Sequence, residues 1–399
     1  MRIIAGPPVS GADFKFRSTE IALATQSLTD GTSLLVKGWR RIGKSSLLVE
    51  TARVLAETPA TTPIYLDVQD MKSLSEFFSG FLRALPADRV QWLRKQWDAA
   101  RLIPGRIADA VQRRVRKVSA GGGGIEGGLE LDASVREYWE PLKESVERLA
   151  REQLAQGNRI ILLIDELPFF LENMHRQNKN VDDIRIVLAT LRAWRNAGLT
   201  MAIAGSVSIQ LFLEDLEIEG LVINDLQHVN LQPLAQLEAE ALVVQLAGIA
   251  KLTGWTPAST AALLAELPDH FPFFIQTAMN QLRASGSSTP EQIADVAENS
   301  LQQQLFATFY QQFDERLARR FEPGIRGAAE AVLNAMAKDV HGKISNAAID
   351  ALCEPLGQDS LAVKRRLELA EFVRGDPRTG GYRLVQNLLK TWRAARGGI

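Results

Sequence analysis

The sequence predicts an α/β protein: a parallel sheet covered by helices in the first part of the chain, an all-helical segment after it, and a small domain of helices and a wing at the end. Three observations carry that reading. The apolar run Ser33-Leu34-Leu35-Val36 feeds a glycine loop, Gly38 to Ser46, and a helix reads from Ser45 to Leu55. A second apolar run, Ile160 to Ile164, has no polar face and stops at Asp165-Glu166. A strand that is apolar on both sides belongs in the middle of a parallel sheet, buried on both faces. From Gln236 to about Ser285 the apolar spacing is purely helical.

Composition bounds the function classes. A chain of 399 residues predicts two or three domains at roughly 150 residues each. It is 46% hydrophobic and 23% charged with a net charge of −1, which argues against a protein that coats nucleic acid and leaves a local basic patch open. The single cysteine, Cys353, excludes an internal disulfide and fits a reducing compartment. Met1 to Ala5 is too short for a signal sequence. The longest apolar run, Ile160 to Leu171, is interrupted by Asp165 and Glu166, so no membrane span is expected. The expectation is a cytoplasmic protein without a membrane partner.

In chain order, residues 6–20 form a turn-rich lead-in, with Val9, Phe14 and Arg17 as candidate contacts to a bound base. The alternative, that the lead-in only covers the sheet edge, stays open. A helix reads from Ser18 to Leu28. Gly38, Gly43, Lys44 and Ser45 then give the spacing G-x-x-x-x-G-K-S/T, the phosphate-binding loop of nucleoside triphosphatases. Strand, glycine loop and helix N-terminus in that order make an anion site, because backbone N–H groups and the helix dipole both favour negative charge. Trp39, Arg40, Arg41, Ile42 and Ser46 complete the loop. Lys44 is expected to reach the β- and γ-phosphates and Ser45 to hold magnesium.

Pro63 to Val68 reads as a second strand. Residues 71–135 follow as an insertion: a helix from Leu74 to Leu85, a basic helical stretch over 94–117, and a glycine-tipped β-hairpin around Gly121 to Gly128. The basic stretch is either a solvated helix face or a contact for nucleic acid or an acidic partner. At the end of the apolar strand, Asp165 is expected to hold magnesium and Glu166 to act as general base on the attacking water. The pair is otherwise a helix N-cap cluster. Leu199 to Ser206 is another buried strand, and Ser206 at its end is either a sensor of the nucleotide state or a capping serine. Ser208 is the lesser choice. No Arg or Lys lies between Ser206 and Leu234, where ring-forming ATPases usually carry an arginine finger.

The helical segment forms a lid over 235–320, with Pro272 opening one of its helices. Helices at 325–336, 345–356 and 360–372, followed by a two-stranded wing at 373–385, give a winged-helix arrangement over 321–399. Lys364, Arg365 and Arg366 on its third helix, and Arg374, Arg378 and Arg383 on the wing, occupy positions that a DNA-reading version uses. Packing within the protein, or a protein contact, is the competing use.

The motif set resembles the STAND-like, archaeal-type P-loop ATPases of the AAA+ group. The stretch Gly38-Trp39-Arg40-Arg41-Ile42-Gly43-Lys44-Ser45-Ser46-Leu47 is similar to that family's double-arginine loop, G-x-R-R-x-G-K-S/T-S-L. Pro8-Val9, Gly11, Asp13-Phe14 and Arg17 are similar to its lead-in, with Phe16 where a glycine is common. Asp165-Glu166 matches its acidic pair, Ala204-Gly205-Ser206 its next strand end, and Leu231-x-Pro233-Leu234 with Glu238-Ala239 the start of its lid. Phe271-Pro272 stands at the lid's nucleotide contact, with His270 and Phe271 replacing a glycine-rich start.

The resemblance implies an ASCE-type P-loop core over 1–234, the insertion within it, and the lid and winged helix after it. It implies ATP or ADP between core and lid, magnesium, and slow or partner-stimulated hydrolysis that repositions the winged helix to control a macromolecular partner. A DNA-binding ATPase of loader, transposition-helper or defence type is the alternative. A nucleotide-binding scaffold without turnover is the third. Arg40 and Arg41 touch phosphate, lid or a neighbouring subunit, so oligomerisation stays open.

Overall fold

The computed structural model describes residues 1–100, 138–205, 209–218, 223–297 and 306–397. Ser206 and Ser208, the basic residues of the 101–117 stretch and the glycine-tipped hairpin therefore lie outside the described residues. The chain divides into two compact units, Pro8–Leu231 and Met1–Pro7 with Gln232–Ile399.

The first unit is built on a five-stranded sheet. Its strands are β1 (Leu34–Lys37), β2 (Thr61–Asp67), β3 (Arg159–Asp165), β4 (Thr200–Ala204) and β5 (Gln227–Asn230), ordered β2-β3-β4-β1-β5. All pairs are parallel. After its first residue β3 is buried along its whole length, the condition its apolar run predicts for a central strand. The edge strand β5 buries only Val229.

Its helices are α1 (Ser18–Thr29), α2 (Lys44–Ala56), α3 (Leu74–Ala84), α4 (Ala87–Ala100), α5 (Trp139–Ala155), α6 (Leu167–Asn178), α7 (Val181–Asn196) and α8 (Ile209–Asp215). Helices α1 and α2 pack against β1, β2 and β4. Helices α3, α5, α6 and α7 share the other core with Ile64, Leu66, Leu162, Ile164 and Ile203. Helix α3, read as the start of an insertion, is part of that core. Phe77, Phe78 and Phe81 are fully buried, and Phe77 stacks on Phe170 at 5.4 Å. Its N-cap is Ser73, whose hydroxyl accepts the Glu76 N–H.

The second unit begins with helices α9 (Gln236–Ala250), α10 (Pro257–Ala265), α11 (Pro272–Ser285) and α12 (Pro290–Val296). Thr256 and Thr289 cap α10 and α12 with side-chain oxygens. Then follow α13 (Ala307–Arg320), α14 (Pro323–Lys338), β6 (Lys343–Ile344), α15 (Asn346–Cys353), α16 (Ser360–Leu369), β7 (Val373–Asp376), β8 (Gly381–Leu384) and α17 (Leu388–Ala395). The expected two-stranded wing gains a third strand, because the two-residue β6 pairs with β8 in the order β6-β8-β7. Phe313, Phe372 and Trp392 form the core here, with Phe372 stacked on Trp392 at 5.7 Å.

Of the two uses read for the third helix of this domain, packing within the protein takes Lys364. It is buried, and its ammonium pairs with Asp350 at 2.6 Å. Arg366 Nε donates to the Arg320 carbonyl at 2.6 Å. Sequence spacing placed these side chains on a helix and did not say which face the domain's own packing would take.

Asp269, in the turn before α11, is buried. Its carboxylate accepts the N–H groups of Asn387 at 3.1 Å and Leu388 at 2.8 Å, where α17 opens. Burial pushes its pKa up to about 6 from 3.8, and those N–H groups oppose the rise without cancelling it. A folded pKa above the unfolded one means the folded protein keeps a proton that the unfolded chain has lost. The stability from this group is complete below about pH 4 and is lost as pH rises through about 6, a change of about 3 kcal/mol. Asp269→Asn is expected to flatten the thermal midpoint between about pH 4 and pH 7. A slope equal to that of the wild type would place the titration elsewhere.

Candidate functional site

The site begins where β1 ends. Gly43 holds φ at 109° and stands at the N-cap of α2, a left-handed conformation that a side chain would strain. Gly43 offers no side-chain cap, and the first turn of α2 carries no acidic residue. Its N-terminal N–H groups therefore have no anionic partner from their own helix, which is the requirement for binding one from outside. Trp39 and Ile42 are buried and anchor the loop from below. Lys44 is buried as well. Its Nζ donates to the carbonyls of Gly38 at 2.7 Å and Trp39 at 3.0 Å, which folds the ammonium over the loop.

Arg40 and Arg41 stand exposed at the loop's turn, and Arg41 has a positive φ of 68°. Desolvation, with Arg40 alongside, pulls the Arg41 guanidinium below its ordinary value.

The second half of the site comes from β3. Register pairs Val36 with Ala204 and Ile164 with Ile203, so the C-terminal ends of β1, β4 and β3 lie level. Strand β4 lies between the other two, which separates them by about 10 Å. Asp165 is 2% exposed at the end of β3. Its Oδ2 accepts the Tyr65 hydroxyl at 3.1 Å. Its Oδ1 is buried without a hydrogen-bond partner among the described residues. Burial raises the Asp165 pKa most, the Glu166 and Asp67 carboxylates add to the rise, and the hydroxyls of Ser45 and Tyr65 oppose it. A buried carboxylate with an unsatisfied oxygen, facing a serine hydroxyl, is the oxygen-donor chemistry that a magnesium ion takes. The residues present fit that ion.

Glu166 follows with a positive φ of 59° at the N-cap position of α6. Its carbonyl accepts from Phe169 and Phe170, both at 3.1 Å, while its side chain makes no cap bond. The residue occupies the cap site, but its carboxylate is not used there. Beside it, a Cβ on Gly205 would lie 2.3 Å from Pro168 Cδ, so only glycine lets β4 end this close to α6. Ser206 comes next and lies outside the described residues.

The lead-in is tied to α2. Val9 N–H donates to Ser46 Oγ at 3.1 Å, and Gly11 N–H to Glu50 Oε2 at 2.6 Å. Ser46, read as part of the phosphate loop, thus gives its hydroxyl to the lead-in. Phe14 is half-buried, and Arg17 is buried with an ion pair to Glu20 at 2.8 Å. Phe16, which stands where a glycine is common, holds a positive φ of 59°. On the other flank, Leu231 N–H donates to the Lys37 carbonyl at 2.9 Å.

All these residues belong to the first unit. Pro272 belongs to the second, where it is the first residue of α11. Phe271 before it is buried and stacked on Phe274 at 4.8 Å. Sequence reading missed Tyr65 and Asp67. The signal was the alternation along β2: Ile64 and Leu66 are buried, while Tyr65 and Asp67 point to the opposite face.

A Walker-type ATPase of Pyrococcus abyssi superposes with a TM-score of 0.59 at 16% identity, over 98% of this chain and 99% of that one. The fold is that of a P-loop AAA+ ATPase. A weaker likeness, TM-score 0.49 at 13% identity, is to the ORC2 protein of Aeropyrum pernix in its ADPNP–ADP complexes, over 98% of this chain and 97% of that one. No protein-family model matches the sequence, and neither does any curated protein. Among the described residues no helix is long and apolar enough to cross a membrane.

The lead-in attachment is testable in this AAA+ fold. Glu50 is buried, and Arg53 and the Gly11 N–H overcome the upward push of burial to hold its carboxyl below the ordinary range. Glu50→Ala is expected to cost about 1–3 kcal/mol and to speed protease cleavage within residues 6–17. Cleavage at the wild-type rate would contradict the attachment.

Proposed function

We propose that the protein binds ATP with magnesium, hydrolyses it slowly, and acts as a STAND-like regulatory switch on a macromolecular partner. One observation carries this reading. A buried carboxylate with an unsatisfied oxygen, Asp165, stands one strand away from a glycine loop whose helix begins without an anionic cap.

In this reading the loop N–H groups of 38–46 and the Lys44 ammonium hold the phosphates, and Arg40 and Arg41 add positive charge at the turn. Ser45 and Asp165 hold magnesium, which when bound neutralises phosphate charge. Glu166 takes a proton from the attacking water. Its side chain is not engaged in capping α6. Val9, Phe14 and Arg17 border the base, and Ser206 senses the state of the nucleotide. The absence of any Arg or Lys between Ser206 and Leu234 supports a switch over a ring motor.

Lys44→Ala is expected to abolish binding of a fluorescent ATP analogue, and unaltered affinity would sink the loop assignment. Glu166→Gln is expected to keep binding and to lower phosphate release about a hundredfold or more. Equal turnover in both proteins would leave a nucleotide-binding scaffold.

A second reading, contact with nucleic acid through the C-terminal winged helix, is favoured by one observation. Arg374 faces Arg383 across β7 and β8, and Lys343 faces Arg383 across β6 and β8. Like charges directly opposite each other destabilise a sheet. Asp376 neutralises Lys343 at 3.0 Å and leaves the two arginines. If they meet phosphates, duplex DNA binding falls steeply with salt, and Arg383→Glu weakens it and lowers the salt slope. Binding equal in the variant and the wild type would rule out this surface.

A further inference from the structure

We propose that Tyr65 is a positioning residue for the magnesium site. Its phenol fixes Asp165 Oδ2 and leaves Oδ1 as the oxygen of that carboxylate offered to the metal or to a metal-bound water. The inference rests on the ATPase reading above and deepens it.

Three observations support it. The bond is direct: the Tyr65 hydroxyl lies 3.1 Å from Asp165 Oδ2, and an ionised carboxylate only accepts, so the phenol is the donor. The two oxygens of Asp165 are then unlike. One is satisfied by the protein, and the other is buried without a hydrogen-bond partner among the described residues. A carboxylate free to rotate would exchange them. Fixing one selects the other, as hydrogen-bond partners around metal sites do for ligands generally.

The third observation is that packing does not require the hydroxyl. Tyr65 alternates with Ile64 and Leu66 on β2 and faces the side where α2 packs. A phenylalanine fills that space equally well. Asp67, two residues on and on the same face, does not compete for the phenol: its Oδ1 accepts the Gln69 N–H at 2.9 Å. The hydroxyl is therefore explained by Asp165.

The test compares wild type, Tyr65→Phe and Asp165→Asn. Affinity for a fluorescent ATP analogue is measured in chelator and then across a magnesium titration. Tyr65→Phe is expected to keep the chelator affinity and to raise the half-saturating magnesium concentration about tenfold. Asp165→Asn is expected to raise it at least as much. If Tyr65→Phe matches wild type while Asp165→Asn weakens the magnesium response, the phenol only packs, and the ATPase reading stands without this inference. If Tyr65→Phe lowers the chelator affinity as much as the magnesium response, its role is structural and the inference fails. If Asp165→Asn also matches wild type, the metal-site reading fails and this inference with it.

Discussion

Asp165 is buried at the end of β3 with one oxygen on Tyr65 and the other unsatisfied among the described residues. Removing an ionised carboxylate from water costs several kcal/mol unless partners replace the solvent. The surrounding structure is arranged around that cost. Strand β3 is buried on both faces, which keeps water from the carboxylate. Ser45, at the second position of α2, and Tyr65, on β2, come from two different elements to the same group.

The glycine loop makes the opposite arrangement. It gathers N–H groups and the Lys44 ammonium where β1 meets α2, with no acidic residue in the first turn. Positive and negative halves thus stand on strands separated by β4. Both flanks of the loop are tied down: Lys37 by the N–H of Leu231, and Ser46 by the N–H of Val9. These partners stand at the two ends of the first unit, next to the points where the chain leaves it.

Much of this was legible in the sequence, for definite reasons. The loop motif has a fixed spacing because backbone geometry around phosphate fixes it. The run before Asp165 is apolar throughout because a central parallel strand has no solvent face. Helix α3 was harder. Leu74 to Leu85 read as an amphipathic helix at the head of an insertion, but its phenylalanines pack into the main core against Phe170 and Trp194. Periodicity reports a buried face and not the surface it is buried against. Tyr65 was missed for a related reason. Its role depends on a bond across two strands a hundred residues apart in sequence. For Lys364 the sequence left DNA reading and packing both open, since a basic residue on a helix does not announce an Asp350 across the turn. The third strand, β6, is two residues long and has no pattern to read.

The central claim is that the ends of β1 and β3 form one site for a nucleotide and its metal. Backbone hydrogen exchange with and without magnesium-ATP tests it most directly. The account predicts that amides of 38–46 and of 165–167 gain protection together, and that both gains vanish in Lys44→Ala. Protection confined to one of the two segments, or present in neither, would contradict it.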